Sequence, residues 1–211
     1  MTDVLEPRPD VRRRRKAERP QEILQAAFDE FSRNGYATTT LEAIAERAGV
    51  TKGTIYVYFE NKEHLFISMV REVTKATLDT VHDMFASHDG STADLLRAQF
   101  SFIYQHIVAD RRRREVVRML IAEAPRFPAL ADRYHEEILK PCLDMLRQAI
   151  QRGIDRGEFR KSAIVDSPQV VIAPIALVDL WMMMFDERQP LDLKAYFNAH
   201  LDLVLNGLLA K

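Results

Sequence analysis

The stretch Leu41–Phe59 reads LEAIAERAGVTKGTIYVYF, and it decides the fold of the first third of the chain. Ala45, Gly49 and Ile55 stand four and then six residues apart within it. A helix-turn-helix needs this pattern, because the small alanine lets the second helix approach the first and the glycine takes the positive φ of the turn. The isoleucine fills the space between the two helices. We therefore predict two short helices joined by a tight turn, the second being a recognition helix.

Polar side chains occupy the outer face that this recognition helix would turn toward DNA. They are Thr51, Lys52, Thr54, Tyr56 and Tyr58. Hydroxyl, ammonium and phenol groups suit both phosphate oxygens and the edges of bases in the major groove. Gly53 lets the helix backbone come close to DNA, and Lys62 stands at the start of the next helix, where a phosphate can also meet helix N–H groups. A polar face on a short helix is more often plain solvated surface, so the interpretation depends on the spacing of Ala45, Gly49 and Ile55.

Apolar residues recur at three- and four-residue intervals along almost the whole chain, and no segment alternates convincingly with a period of two. This periodicity predicts α-helices. Pro20 suits the first turn of the first helix, and Gly35 suits the left-handed cap that ends it. We predict an all-α fold of about nine helices, with a three-helix N-terminal domain. The expected boundaries are a disordered basic arm at 1–16, the helix-turn-helix domain at 17–77 and a larger helical domain at 78–211.

Basic side chains are concentrated near the start of the chain, although the formal net charge of the whole is only −1. Residues 11–62 carry ten Lys and Arg against seven Asp and Glu, and five of the ten lie in the run 12–16. Such a run is most often a solvated tail. Placed before a DNA-binding domain, it can also reach a minor groove or neighbouring phosphates. Both interpretations of the arm stay open.

Cys142 is the only cysteine, so no intrachain disulfide can form, which fits a reducing cytoplasm. No apolar run approaches the roughly 18 residues of a membrane span. The charged N-terminus has no apolar segment after it, unlike a secretory signal. We therefore expect a cytoplasmic protein without a membrane partner.

The region from about Ala17 to Glu72 closely resembles the DNA-binding domain of the TetR family, without a gap. The matching residues are Ile23-Leu24, Ala27, Phe31, Gly35-Tyr36, Thr39-Thr40, Ile44-Ala45, Ala48-Gly49-Val50, Gly53-Thr54-Ile55-Tyr56, Tyr58-Phe59, Lys62-Glu63 and Leu65. The resemblance implies that the third helix enters the major groove. It further implies two sets of contacts: Thr40, Thr54, Tyr56 and Lys62 to phosphates, and Thr51, Lys52 and Tyr58 nearest the bases.

The same resemblance implies a homodimer that binds double-stranded DNA at a palindromic operator, commonly as a repressor. It also implies that the second domain binds a ligand and dimerises through its last two helices. The last helix has two apolar faces, which suggests one for its own core and one for a partner. Leu201→Glu or Leu205→Glu is accordingly predicted to split the dimer.

Bulky apolar and aromatic residues in the second domain predict a cavity for a small apolar or aromatic effector. The candidate lining residues are Phe102, His106, Met119, Tyr134, Cys142 and Trp181. Such residues are more often plain core. His106 would be the polar anchor of the cavity, although a histidine satisfied within the core or at the surface is the commoner case.

Catalytic and metal-binding signatures do not occur in the sequence. It has no HExxH, no cysteine pair, no Gly-rich phosphate loop and no GxSxG, and its six histidines lack metal-ligand spacing. We expect no enzyme activity, no cofactor and no metal. The remaining alternative to a ligand-responsive regulator is a constitutive DNA-binding regulator without a small-molecule ligand.

Overall fold

The computed structural model describes residues 11–108, 110–185 and 188–210, apart from the side chains of residues 11–17 and 107. Over these residues the chain forms nine helices, which confirms the predicted all-α fold. The helices are α1 Val11–Thr38, α2 Leu41–Arg47, α3 Lys52–Tyr58, α4 Lys62–Ser87, α5 Thr92–Phe102 with a π-helical turn Ile103–Ile107, α6 Arg111–Glu123, α7 Pro128–Tyr134 with a π-helical turn His135–Leu139 and the segment Lys140–Asp155, α8 Gln169–Met184 and α9 Leu193–Leu208.

Two units divide the chain, one of residues 1–72 and one of residues 73–211. The division falls within α4, as does the boundary predicted after residue 77. A 3-10 turn, Ala163–Val165, and a β-bridge between Phe159 and Leu209 complete the second unit as described. In the described part of the chain, no helix combines the length and the apolar character that a membrane crossing requires.

The beginning of α1 differs from the prediction. The helix begins at Val11, so residues 11–16 are helical where the sequence predicted a disordered arm, while residues 1–10 lie outside the described residues. Pro20 stands inside the helix and not in its first turn. Because proline has no N–H, this position removes one backbone hydrogen bond from the ladder of α1. Gly35 interrupts the helical geometry inside α1 with a positive φ of 78°, although its ψ of 163° differs from that of the left-handed cap that was expected.

The core of the first unit lies between α1, α2, α3 and the beginning of α4. Its fully buried side chains include Ile23, Phe31, Ile44, Ile55 and Phe66. The rings of Phe31 and Phe66 meet edge to face at 5.2 Å, and Tyr36 lies against both. Aromatic contacts of this geometry add to the free energy gained by burying the rings.

The core of the second unit brings α5, α7, α8 and α9 together. Leu96, Phe100, Ile150, Val171 and Leu208 are among its buried residues. At Gly153 in α7, an added Cβ would lie 2.2 Å from the ring of Phe159, so only glycine allows this contact.

A buried hydrogen-bond chain crosses the second unit from α5 through α9 to α8. The hydroxyl of Tyr104 lies 2.9 Å from His200 Nδ1, and His200 Nε2 lies 2.8 Å from the carbonyl oxygen of Val171. Since a carbonyl can only accept, Nε2 carries the proton and Nδ1 accepts from the tyrosine. Burial lowers the pKa of His200, which favours this neutral form.

The apolar stripe of α9 faces the core of its own unit. Leu205 is buried and Leu201 packs against the core, so glutamate at either position would disturb this unit itself. That the two variants split a dimer stays a prediction. Leu203 points away from this core and is 69% exposed. On the exposed side of α9, Leu203 stands among polar and small residues, so the structure shows one apolar stripe and one exposed leucine where the sequence predicted two apolar faces.

Candidate DNA-binding face and effector cavity

The turn between α2 and α3 has the geometry that the spacing of its residues predicted. Ala45 and Ile55 are buried, and Gly49 has a φ of 63°. The N–H of Val50 donates to the carbonyl of Ala45 at 2.9 Å, which closes the turn onto α2. The two helices therefore meet through small and apolar side chains, and the other face of α3 is exposed.

Threonine hydroxyls cap both helices of the motif. Thr40 accepts from the N–H of Ala43 and Thr51 from the N–H of Thr54, each at 3.2 Å. The hydroxyls of Thr51 and Thr54 lie 2.9 Å apart. A hydroxyl has one donor and two acceptor sites, so each retains capacity for a phosphate or a base.

The outer face of α3 presents Lys52, Gly53 and Tyr56 to solvent, while Tyr58 is half-buried. The ammonium of Lys52 lies 2.6 Å from the carboxylate of Glu42 and 5.7 Å from the ring centroid of Tyr56. The hydrogen bond to Glu42 is the main reason why the pKa of Lys52 is raised. If this ammonium bound DNA, it would give up its exposed ion pair with Glu42. Losing such a pair costs little free energy.

Val57 belongs to the same face and was not predicted from the sequence. Its side chain is 72% exposed between Tyr56 and Tyr58. The prediction considered polar side chains only, yet apolar side chains also read DNA by packing against the methyl group of thymine. An apolar residue on the outer face of a recognition helix was the signal that could have identified it.

Lys62 lies in a different environment from the one predicted. Its ammonium donates to the carbonyls of Tyr36, Ala37 and Thr39 at 2.7, 3.3 and 3.0 Å. It also lies 4.4 Å from the ring centroid of Tyr36. An ammonium has three hydrogens, so a phosphate would have to compete with these three bonds. The arrangement points to a role in holding the end of α1 against α4.

A cavity of about 310 Å³ lies in the second unit. Most of its lining is apolar. The lining residues are Thr74, Thr77, Leu78, Val81, Leu96, Gln99, Phe100, Ile103, Arg113, Val117, Tyr134, Ile138, Leu139, Cys142, Met145, Leu146, Ile172, Ile175, Ala176 and Asp179. Two of the six predicted effector contacts, Tyr134 and Cys142, are among them.

The other four predicted contacts lie outside this lining. Phe102 stacks on an exposed His106, with ring centroids 4.5 Å apart. Met119 is buried elsewhere, and the indole N–H of Trp181 donates to the carbonyl of Gln189 at 2.7 Å. The π-helical turn Ile103–Ile107 is a reason for His106, because its wider turn changes the angle between successive side chains. Phe102 precedes this turn and lies on a different side of α5 from the lining residues Phe100 and Ile103.

The polar residues of the lining are few, and most of them form hydrogen bonds or ion pairs with other residues of the protein. Arg113 forms an ion pair with Asp179, and the side-chain N–H of Gln99 donates to the carbonyl of Val81 at 3.1 Å. Burial raises the pKa of the Cys142 thiol, and its sulfur lies 3.1 Å from the carbonyl of Ile138. A raised pKa keeps the thiol protonated, so Cys142 contributes volume and not a nucleophile. Over the described residues no cluster suited to a metal ion occurs.

Comparison with known proteins matches both units. The family model "Bacterial regulatory proteins, tetR family" matches residues 23–69, and "Tetracyclin repressor-like, C-terminal domain" matches residues 87–194. The chain belongs to the TetR family. This confirms the resemblance predicted from the helix-turn-helix and extends it to the second unit. The protein is therefore a DNA-binding transcription regulator and not an enzyme.

Relatives within the TetR family are similar over nearly the whole chain. The fatty acid metabolism regulator protein of Bacillus subtilis is 28% identical, covering 92% of this chain and 98% of that protein. The structure of FadR from Bacillus subtilis in complex with stearoyl-CoA is 27% identical with a TM-score of 0.68, covering 89% of this chain and 98% of that one. The SmeT–triclosan complex is 25% identical with a TM-score of 0.76, covering 92% of each chain.

Replacement of Lys62 separates a structural role from a phosphate contact in this TetR-type domain. Lys62→Met is expected to lower the free energy of unfolding by about 1–3 kcal/mol, because the carbonyls at the end of α1 lose charge-assisted bonds. The dependence of DNA affinity on salt should stay the same. Thermal unfolding, and binding at two salt concentrations, measure the two quantities. A salt slope reduced in magnitude by about 1, with unchanged stability, would instead establish a phosphate contact. Lys75→Met on the same helix is the control, since Lys75 pairs with Asp79 in solvent.

Proposed function

We propose that this TetR-family protein is a cytoplasmic repressor that binds a palindromic operator as a homodimer and is released by a small apolar or aromatic molecule. The observation that carries this proposal is the cavity of about 310 Å³ with its mostly apolar lining. A volume of roughly 300–1,000 Å³ is usual for sites that bind small molecules. A constitutive regulator without a ligand would have no use for such a cavity, which disfavours the alternative.

The proposed DNA contacts lie on the outer face of α3 and at the start of α2. Thr40, Thr54 and Tyr56 would hold phosphates. Thr51, Lys52 and Tyr58 would lie nearest the bases, and Val57 is added to them as an apolar contact. Phosphate contacts position the helix, whereas contacts to base edges select the sequence. Lys62 is left out of the set because its ammonium already donates to three carbonyls.

Gly53→Ala tests how closely α3 approaches the DNA. An added Cβ would lie 3.7 Å from Thr51 Oγ1, an ordinary contact, so the fold should tolerate it. Alanine also favours a helix over glycine by about 1 kcal/mol. We expect unchanged or higher thermal stability and a roughly tenfold loss of operator affinity, about 1.4 kcal/mol of contact energy. Fluorescence anisotropy with labelled operator measures the affinity, and equal affinity of the two proteins would show that the backbone of α3 does not approach DNA closely.

The proposed dimer surface combines exposed apolar residues of α8 and α9. Val170, Leu177 and Met184 follow one another at intervals of seven residues on α8, and all three are exposed. Intervals of seven place side chains on one stripe of a helix. Leu203 on α9 is exposed as well. Large apolar side chains gathered on exposed faces are typical of surfaces that a partner covers.

The proposed coupling between effector and DNA runs through α4. This helix begins with Lys62, which bonds to the end of α1, and it contributes Thr74, Leu78 and Val81 to the cavity lining. An effector that displaces the cavity-lining part of α4 would alter the placement of the two recognition helices. A palindromic operator tolerates little change, because its half-sites are about 34–36 Å apart on a stiff duplex.

Reciprocal binding tests the sensor function. Operator DNA is first selected from a random-sequence pool, and triclosan serves as the probe. Triclosan should weaken operator binding, and operator should weaken triclosan binding by the same factor, typically about 5–150-fold. Cys142→Trp, which fills the cavity, should abolish the response and leave operator affinity intact, while Cys142→Ala should respond normally. Operator binding that no small apolar molecule alters would favour the constitutive alternative.

A further inference from the structure

Three polar residues of the effector cavity that come from different helices lie near one another. Arg113 belongs to α6, Tyr134 to α7 and Asp179 to α8, and all three line the cavity. Arg113 and Asp179 form an ion pair. Burial raises the pKa of the Tyr134 hydroxyl, and Arg113 and Asp179 also act on it electrostatically. Arg113, Tyr134 and Asp179 therefore form a polar cluster in a mostly apolar lining.

Asp179 has one carboxylate oxygen that the protein leaves unpaired. Oδ2 accepts from the guanidinium of Arg113. Oδ1 is buried and has no hydrogen-bond partner among the residues that the structure describes. The whole residue is only 3% exposed. A buried acceptor without a donor costs free energy, so a residue of this kind in a cavity wall favours a ligand that supplies the donor.

Gln99 adds a second acceptor to the lining. Its side-chain nitrogen donates a hydrogen bond to the carbonyl of Val81. The amide oxygen therefore remains able to accept a hydrogen bond from another group. The residue is buried and lines the cavity. Two independent residues of the lining thus provide acceptors.

The charge of the lining opposes an anionic head group. Arg113 is the cation of the lining, and Asp179 already neutralises it. Arg114 also acts on Asp179 electrostatically, but it lies outside the lining and its guanidinium donates to the carbonyl of Val108. A carboxylate on the ligand would place a second negative charge beside the buried Asp179, where the low dielectric strengthens repulsion.

We propose that the effector is an uncharged apolar or aromatic molecule carrying one hydrogen-bond donor, a hydroxyl or an N–H, which binds to the carboxylate of Asp179. This inference rests on the proposed sensor function and specifies the chemistry that the cavity recognises. Apolar side chains such as Phe100, Ile103 and Leu146 would enclose the remainder of the molecule.

Three probes of one shape test the proposal by isothermal titration of the full-length protein: biphenyl, 4-hydroxybiphenyl and biphenyl-4-carboxylate. The hydroxyl compound should bind about tenfold or more tightly than biphenyl, as expected for a hydrogen bond to a charged acceptor. The carboxylate should bind more weakly than biphenyl. In Asp179→Asn the oxygen of the amide can stay with Arg113, which leaves an NH₂ group in place of Oδ1. The hydroxyl then loses its charged acceptor and can only accept a neutral bond from this NH₂, so the preference for the hydroxyl should fall well below the wild-type ratio.

Met145→Leu is the matched control, because Met145 lines the apolar part of the cavity. It should change the affinities for biphenyl and 4-hydroxybiphenyl by the same factor and keep their ratio. Equal binding of the two by the wild-type protein, or tightest binding of the carboxylate, would overturn this inference and leave the sensor function standing. Failure of all three probes to bind would also overturn this inference, whereas the reciprocal test with triclosan decides the sensor function separately. If Asp179→Asn does not fold, Gln99→Leu separates the two acceptors of the lining. A hydroxyl preference that this variant keeps assigns the acceptor to Asp179, and one that it loses assigns it to Gln99 and overturns the proposal.

Discussion

Leu203→Glu is expected to convert the protein from a dimer into a folded monomer and to abolish specific operator binding. The leucine is 69% exposed on α9, so a single subunit tolerates the carboxylate. In the proposed dimer the same carboxylate would be buried without a partner, which costs several kcal/mol. One recognition helix reads too few base pairs for specificity, so affinity should fall toward the non-specific level, at least about 10³-fold.

Sedimentation velocity and fluorescence anisotropy with labelled operator measure the two effects. Asn198→Glu is the matched control, since Asn198 is also exposed on α9 and lies on a different side of the helix from Leu203. It should leave both the dimer and the affinity unchanged. Leu205→Glu should behave differently from both, because Leu205 is buried in its own unit and its replacement should unfold that unit. A wild-type protein that sediments as a monomer at micromolar concentration would contradict the dimer.

Arg113→Met is expected to lower the free energy of unfolding of the second unit by about 3–5 kcal/mol. The substitution leaves the carboxylate of Asp179 buried without its cation, and breaking one side of a buried ion pair typically costs this much. Burial already raises the pKa of Asp179 against the opposing effect of Arg113. Without the arginine the carboxyl can take up a proton more readily, so the deficit in stability should shrink as the pH falls.

Urea unfolding followed by the fluorescence of Trp181, the only tryptophan, reports on the second unit. Arg118→Met is the control on the same helix, because Arg118 pairs with Glu115 near the surface and such pairs contribute about 0–1 kcal/mol. The double variant Arg113→Met with Asp179→Leu should regain most of the loss, since apolar residues of similar volume often replace a buried pair without cost. A loss for Arg113→Met no larger than that for Arg118→Met would show that the pair does not stabilise the fold.

The pH dependence of stability should also reflect His200. Its folded-state pKa is lowered by burial, so the unfolded chain binds the proton more readily. The contribution of His200 to the free energy of unfolding is fully present above the unfolded-state pKa of about 6.5. It decreases as the pH falls below this value, by at most about 1.4 kcal/mol per pH unit. His200→Gln should flatten this part of the profile in urea unfolding from pH 7.5 to 5.5. An identical profile for both proteins would exclude His200 as the cause.

The sequence by itself determined the helices and the helix-turn-helix. Ala45, Gly49 and Ile55, which form the turn and the contact between α2 and α3, lie within one short stretch of sequence. The conformation of such a stretch depends on backbone geometry and on neighbouring side chains. Helical periodicity is equally local, which is why the nine helices of the described residues could be predicted from apolar spacing. The polar residues of the proposed recognition face were predicted from the same stretch. Val57, which is exposed on that face, was not predicted because the pattern considered only polar side chains.

Only the tertiary structure decided which residues line the cavity, where the ammonium of Lys62 binds and which face of α9 stays exposed. Arg113 and Asp179 are 66 positions apart, and Lys62 is 23 to 26 positions from its carbonyl partners. A small change of helical phase, such as the π-helical turn after Phe102, exchanges the side chains that face a cavity. Periodicity tells which residues of a helix share a face, but the packing of distant helices determines what that face meets.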